Sequence, residues 1–462
     1  MQPELLAYAT LGGTMKLLQK LFLLLIITML VFPAFSEEGD DSGFNFEMDI
    51  EIGAESINEI VNGEDTEVSY QMITINPDFS FGKIGIGLDM TFHYRFDDGN
   101  GHFDFREEDW TTDSERNFLD VYLPIFRYVR YGHKGDSLYG KMGSIEDGTL
   151  GNGFIMGNYS NTNFLPELRM VGLALDIDGN LFNFPYVGIE TFAGNLAKMD
   201  VFGTRLYVRP LTSLGIPIIE DLQIGTTAAF DREPDALNDF VLTGVANPGT
   251  VSIYGIDFKQ PIISNKALSA AVFGDVAFQA GSGTTNAGAL LGVGGQLISF
   301  INYGLNALFL GDNFVPFYFD SSYDLYREIK YDIYVGNAGI SGYYGWLANL
   351  GFSFLDEMFV FNTSVNGAFD NPTNDPSKKP HLKSVLIVGE GLLPGFFFDA
   401  SYDKRNISAW KDLIDPADAV IGANINYKTG PAVITLGYDL RYVPETGSWN
   451  TTSKLSTSIS LY

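Results

Sequence analysis

From Ile84 to Phe96 the chain alternates residue by residue. Ile84, Ile86, Leu88, Met90, Phe92, Tyr94 and Phe96 are apolar or aromatic, and Lys83, Gly85, Gly87, Asp89, Thr91, His93 and Arg95 interleave with them. Successive side chains of a β-strand point to opposite faces, so the segment predicts a strand with one apolar and one polar face. Strands of soluble proteins usually have about five or six residues, whereas a tilted membrane-crossing strand needs about 9–11. This one is of the second kind.

The pattern recurs along the chain. Phe44, Phe46, Met48, Ile50 and Ile52 alternate with Asn45, Glu47, Asp49 and Glu51. Phe396, Phe398, Ala400 and Tyr402 alternate with Phe397, Asp399 and Ser401, and Ile434, Leu436, Tyr438, Leu440 and Tyr442 with Thr435, Gly437, Asp439 and Arg441. Strands are predicted near 44–52, 68–76, 79–96, 118–130, 137–143, 170–178, 186–192, 201–209, 221–230 and 250–258. Others follow near 267–279, 287–299, 303–311, 343–354, 358–369, 382–389, 395–403, 417–427, 431–442 and 454–462.

A soluble β-sandwich also alternates, with its apolar face inward. Here the other face carries Gly, Asn, Asp, Glu and Arg over the whole length of long strands, and Tyr and Phe gather at strand ends. An apolar outer band edged by aromatic girdles around a polar interior is the pattern of a membrane barrel. The expected fold is all-β: a transmembrane antiparallel up-and-down β-barrel of 16 to 20 strands, an even number with 18 favoured.

The amino-terminal segment reads differently. Lys16 and Lys20 lead into the apolar run Leu21–Phe32, followed by Pro33-Ala34-Phe35-Ser36 and the acidic Glu37-Glu38. A basic start, a short apolar stretch and a small-residue exit predict a secretory signal over 1–36, cleaved between Ser36 and Glu37, with Met15 as a possible true start. The domain that follows, 37–462, is the barrel.

Composition agrees: 37 Phe, 24 Tyr and 51 Gly favour strands and tight turns. With no cysteine there is no disulfide framework, thiolate zinc site or cysteine nucleophile. A formal net charge of -29 argues against nucleic-acid partners, which need basic surface, and fits a lumen that attracts cations.

Short turns are expected at Asn76-Pro77-Asp78 and Lys428-Thr429-Gly430, and long acidic loops at 97–117, 231–249 and 403–418. Asp97-Asp98-Gly99-Asn100 lacks the spacing of a calcium loop, so no metal or cofactor is expected. Gly151-x-Gly153 has no helix after it and is no dinucleotide fingerprint. The segment Ser144–Ser160 is too apolar for an exposed loop. It reads either as a wall hairpin or as an inward-folded loop narrowing a pore, with Glu146, Asp147 and Asn152 as its polar members.

The chain stops at Lys454-Leu-Ser-Thr-Ser-Ile-Ser-Leu-Tyr462, with Leu455, Ile459 and Leu461 on one face and Tyr462 last, out of phase with them. This resembles the carboxy-terminal strand by which barrel-assembly machinery recognises its substrates. Residues 37–462 as a whole resemble a porin-type outer-membrane protein. A plug domain or hatch helix, as other barrel transporters carry, finds no room before Phe44.

The resemblance implies outer-membrane lipid outside, small hydrophilic solutes inside, and assembly as a homotrimer. Passive diffusion with mild cation preference is the first functional reading. Glu47, Asp49, Glu51, Lys83, Asp89, His93, Arg95, Arg205, Arg209, Asp399, Asp439 and Arg441 are its candidate pore-lining residues. An adhesin working through acidic loops is the alternative. A hydrolase would need His93, His102, His133 or His381 in a catalytic arrangement, and none stands in one recognisable from sequence.

Overall fold

The computed structural model describes residues 44–61, 64–96, 103–112, 121–164, 168–237, 249–265, 267–281, 284–355, 358–370, 378–415, 417, 419–430, 432–443 and 448–460. The predicted export signal with Ser36 and Glu37, residues 97–102 (with His102) and 113–117 of the predicted acidic loop 97–117, Leu461 and Tyr462 lie outside the described residues.

The long alternating segments form an antiparallel meander. β1 (Phe44–Val61) and β2 (Glu64–Phe81) open it. β3 (Ile84–Leu88) and β4 (Met90–Phe96) both pair with β2 and are two halves of one wall strand. β5 (Phe103–Phe105) and β6 (Phe126–Tyr131) pair with β4 and β3 and are two halves of the next. β7 (Leu138–Gly143), β8 (Gly172–Asp178), β9 (Val187–Ala193), β10 (Val201–Val208) and β11 (Gln223–Asp231) are short. β12 (Val251–Ser264), β13 (Leu268–Gly281), β14 (Thr284–Leu297), β15 (Ile301–Leu310) and β16 (Tyr343–Phe354) are longer. β17 (Phe359–Ala368), β18 (His381–Leu393), β19 (Phe396–Lys404), β20 (Ala419–Thr429), β21 (Ala432–Val443) and β22 (Ser448–Ser460) complete the wall.

β22 returns to β1, with Asp49 aligned to Ser460 and Glu51 to Ser458, so the sheet is closed. Its 22 segments make 20 wall strands, the top of the expected range rather than the favoured 18. Closure pairs the first strand with the last, as a wall in hydrocarbon requires.

One predicted turn is corrected. β2 runs straight through Asn76-Pro77-Asp78, and the chain reverses at Gly82-Lys83 instead. Pro77 has no N–H to give its neighbour strand. The wall yields there on the other side: β2 pairs with β4 as far as Ile75–Met90 and with β3 from Asp78–Gly87. At the break, the Asp89 N–H turns to the Ile125 carbonyl at 2.8 Å. The turn expected at Lys428-Thr429-Gly430 is present between β20 and β21.

The outer face is greasy and bare. Leu206, Ile256, Leu291 and Leu305 stand exposed mid-strand, Leu305 at 61%. Aromatic rings edge this band at both ends. Phe202, Phe230 and Tyr254 stack across β10–β12 at 5.1 and 5.7 Å, and Phe309 meets Tyr344 at 5.8 Å. At the other end Phe354 meets Phe359 at 4.7 Å and Phe396 meets Tyr427 at 4.8 Å. Tyr344 and Phe354 mark both edges on β16. Ten residues at about 3.3 Å each, tilted about 40°, give a band of roughly 25 Å, the height of an outer-membrane hydrocarbon layer.

The connections are unequal. Tight turns such as Gly82-Lys83, 298–300 and Pro394-Gly395 join strands at one end. At the other end lie the described parts of longer connections, 144–164, 168–171, 232–237 and 249–250, and the segment 311–342, which carries helix α1 (Tyr323–Val335). No described helix is long and apolar enough to cross a membrane.

Candidate functional site: the lumen and its inward loops

Many inward positions of β7–β15 do not face open water, because two long loops fold against them. The glycine-rich segment makes a hairpin through reciprocal Gly148–Tyr159 backbone bonds of 3.0 and 2.9 Å. Its far limb runs beside residues 317–319 of the loop carrying α1. The Phe317 N–H donates to the Phe154 carbonyl at 2.9 Å, Phe319 to Ile155 at 3.1 Å, and Gly157 to Phe319 at 3.0 Å. Two loops distant in sequence thus share a strip of parallel pairing.

Between them lies a hydrophobic core inside the barrel. Ile145, Phe154, Met156, Tyr159, Phe319 and Tyr323 are each at most 1% exposed. Phe154 stacks on Phe314 at 5.6 Å and Phe319 meets Tyr323 at 4.8 Å. Burying each such side chain is worth about 1.5–3 kcal/mol, which explains why a loop carries so many of them. The wall is carved to fit. An added Cβ at Gly203, Gly255 or Gly288 would stand 2.7, 2.7 and 2.4 Å from Leu150, Ile155 and Phe314.

Two buried arginines fix the arrangement. Arg205, 2% exposed, points inward from β10. It donates to Asp257 at 2.6 and 2.9 Å and to Glu190 at 2.8 Å. The other Glu190 oxygen accepts the Gly151 N–H at 2.8 Å. Asn152 donates to Asp275 and to the Phe258 carbonyl, both at 3.1 Å. Only glycine suits position 151: its φ is +58°, and a Cβ would press within 2.8 Å of the Arg205 side chain.

Arg327 of α1 is the second anchor. It grips Asp231 with two bonds of 2.6 Å and Asp200 with one of 2.9 Å. Tyr323 donates to Asp231 at 2.6 Å, and Tyr159 donates to Asp324 at 3.0 Å, tying both loops to one charge cluster. Burial raises the Asp324 carboxyl to about 7, Arg327 opposing the rise and Asp200 and Asp231 adding to it. Burial also lowers the Lys330 ammonium, against the pull of Asp320 at 2.9 Å.

The predicted residues fall in distinct places. Arg205 sits beneath the hairpin tip, and Arg209 pairs with Asp178 at 2.5 Å at the short-turn end. Asp89 pairs with Arg169 on the inner face, His93 reaches Asp109 at 2.8 Å, and Arg95 lies over the Tyr70 ring at 5.7 Å. Asp399 accepts from Asn424 at 2.9 Å. Lys83 departs from the prediction: it stands in the turn, paired with Asp136 at 3.0 Å, because the strand ends before it. Glu47, Asp49, Glu51, Asp439 and Arg441 lie in β1 and β21, their side chains outside the description. In the hairpin, Asn152 touches the wall while Glu146 and Asp147 are exposed. Leu455 is 68% exposed on the outer face of β22, and Ile459 aligns with Ile50.

Sequence reading missed α1 and its cluster. The signal was present: Tyr323, Arg327, Tyr331 and Tyr334 recur at helical spacing and are the buried face. His381 pairs with Asp403 at 2.7 Å and His133 lies in a turn.

Beside the plug, a cavity of about 830 Å³ stays open between β12 and β18. Asn302, Asn306, Asn349, Asn362, Ser364 and Lys383 line it from the wall, with Asn152 and Asn158 from the hairpin.

A closed antiparallel wall, a bare apolar belt edged with aromatics and an interior partly filled by inward loops define a β-barrel of the kind that spans outer membranes. Solved structures with this general build include OpdK of Pseudomonas aeruginosa, in its structure with vanillate, at TM-score 0.33 and 9% identity over 90% of this chain and 98% of that one. OccK5 (OpdH) of Pseudomonas aeruginosa gives 0.34 and 8% over 91% and 98%. Wzi of Escherichia coli, described as a carbohydrate binding β-barrel involved in capsule assembly, gives 0.36 and 12% over 91% and 84%. No family model matches the sequence, and neither does any curated protein sequence.

Proposed function

We propose that the protein is a passive outer-membrane channel for small hydrophilic solutes. The observation that carries this reading is the open cavity, lined in part by asparagine, serine and lysine side chains, beside the inward loops. A barrel of this strand number is too wide for wall side chains alone to fill, so water remains where loops do not reach.

Charge supports a mild cation preference. Around Arg205 stand the carboxylates Glu190 and Asp257, and around Arg327 stand Asp200 and Asp231, so each cluster holds one more acid than base. On the alternation of the sequence, Glu47, Asp49, Glu51, Asp399 and Asp439 add acids to the wall, with Arg95 and Arg441 against them. A lumen with excess negative charge concentrates cations. The hairpin tip at Asn152 is the constriction in this reading, and Glu146 and Asp147 sit at its approach. Export through the 1–36 signal, insertion by barrel-assembly machinery through Leu455, Ile459, Leu461 and Tyr462, and assembly as a homotrimer belong to the same proposal.

Single-channel recording in planar bilayers tests it. Discrete open steps with a reversal potential favouring potassium over chloride are expected. A barrel that inserts but passes no current overturns the channel, and an anion-favouring potential overturns the cation preference.

A further inference from the structure

The cavity between β12 and β18 differs chemically from the chain that holds it. The protein carries 57 acidic residues, yet none of the described residues lining this cavity is acidic. Its charged members are Lys259 and Lys383. The rest of its polar lining is dominated by asparagine.

These asparagines are arranged. In register, Asn302 lies opposite Gly351, and Gly351 opposite Asn362. One step along, Gly304 lies opposite Asn349, and Asn349 opposite Ser364. Amides and glycines therefore alternate as a checkerboard on one inner patch, with Asn302 and Asn362 about two strand spacings, roughly 10 Å, apart. The glycine leaves room for the amide: a Cβ at Gly351 would stand 2.4 Å from the Asn362 side-chain oxygen and make that side chain shift. The side chains of Asn302, Asn349 and Asn362 are exposed to the cavity and make no hydrogen bond with the described residues. Phe273 supplies an apolar surface beside them.

We infer that this patch is a binding site for a small polyhydroxylated solute carrying no positive charge. A side-chain amide offers donor and acceptor together, the complement of vicinal hydroxyls, each of which also donates and accepts. Free amides on a flat wall can meet several hydroxyls at once while Phe273 receives the C–H face. Lys259 and Lys383, the latter 3.9 Å from Asp403 outside the cavity, with no carboxylate among the lining residues, admit a neutral solute or a hydroxy acid and disfavour an amine. The site deepens the channel reading and rests on it: a station where solute pauses must bind weakly enough to release it.

Calorimetric titration of the detergent-solubilised full chain with maltotriose, gluconate and glucosamine reads the site, and single-channel current from the same preparation reads the channel separately. Maltotriose and gluconate are expected to bind, with glucosamine at least about tenfold weaker. The double variant N349A/N362A is expected to bind maltotriose about tenfold more weakly, at unchanged heat-modifiable gel mobility. Glucosamine binding equal to maltotriose, maltotriose binding unchanged in the variant, or no binding of any probe overturns the site. If any of these accompanies an open channel, the channel reading survives. Maltotriose binding by a barrel that never conducts supports the site and overturns conduction.

Discussion

Asn152 donates its side-chain amide to Asp275 at 3.1 Å, joining a hairpin tip to a wall strand 123 residues further along the chain. The same asparagine nitrogen reaches the Phe258 carbonyl on the neighbouring strand. The hairpin is thus fastened at its tip as well as packed along its length.

Conductance should respond to that tip. Replacing Asn152 with Ala removes both contacts, and deleting residues 150–156 removes the limb itself. The expected result is a modest rise in single-channel conductance and more open-state noise for N152A, and a severalfold rise for the deletion. Unchanged conductance in the deletion would mean that the hairpin does not narrow the path.

The Arg327 cluster should dominate the stability of the second loop. Arg327→Met leaves Asp200 and Asp231 buried without their counter-charge. Removing one partner of a buried ion network costs about 3–5 kcal/mol. The urea midpoint of the barrel refolded in vesicles should fall accordingly. A midpoint within error of the parent would show that the loop contributes nothing to stability.

Acidity should tighten the same region. The Asp324 carboxyl rises to about 7 in the fold, against about 3.9 for a free aspartate. Between those values the folded chain keeps a proton that the unfolded chain has released. The stability that this carboxyl contributes is therefore full below about pH 4, is lost as pH rises towards 7 and levels off beyond it, by at most about 4 kcal/mol. The groups facing this carboxyl are Arg327, Tyr159, Asp200 and Asp231. Asp324→Asn should abolish the slope between pH 4 and 7, and a slope unchanged in D324N would assign the dependence to another group.

The two faces of the wall can be separated by one charge. Leu305→Lys places an ammonium mid-strand in the apolar belt and should cost about 2–4 kcal/mol in vesicle folding titrations. Asn362→Lys, on the inner face two strands away, should leave folding nearly unchanged. Equal costs would contradict the assignment of faces.

Much of the wall was legible because a strand buried on one side in hydrocarbon must alternate, and Tyr343–Phe354 matches its predicted bounds. The interior was less so. Pro77 looks like a turn because turns are where proline usually goes, yet here the neighbouring strand absorbs its missing donor by breaking at Asp89. The hairpin announced itself through apolar residues where an exposed loop would carry none, but its partner, the segment around Phe319, gave no local sign of pairing. Arg205 was named as pore-lining from its strand position. Its burial under Gly151 depends on contacts distant in sequence, which alternation does not encode.

The pairing of β1 with β22 sets the order in which the molecule can be made. Because the first and last strands supply each other's missing backbone partners, any shorter piece of chain leaves two rows of unmet N–H and C=O groups, one at each side. No leading portion can finish its own bonding while the remainder is still being synthesised or exported. The polypeptide must therefore be shielded from its neighbours until the final strand arrives, and a product cut short before Ser448 would be a template for clumping rather than a smaller pore.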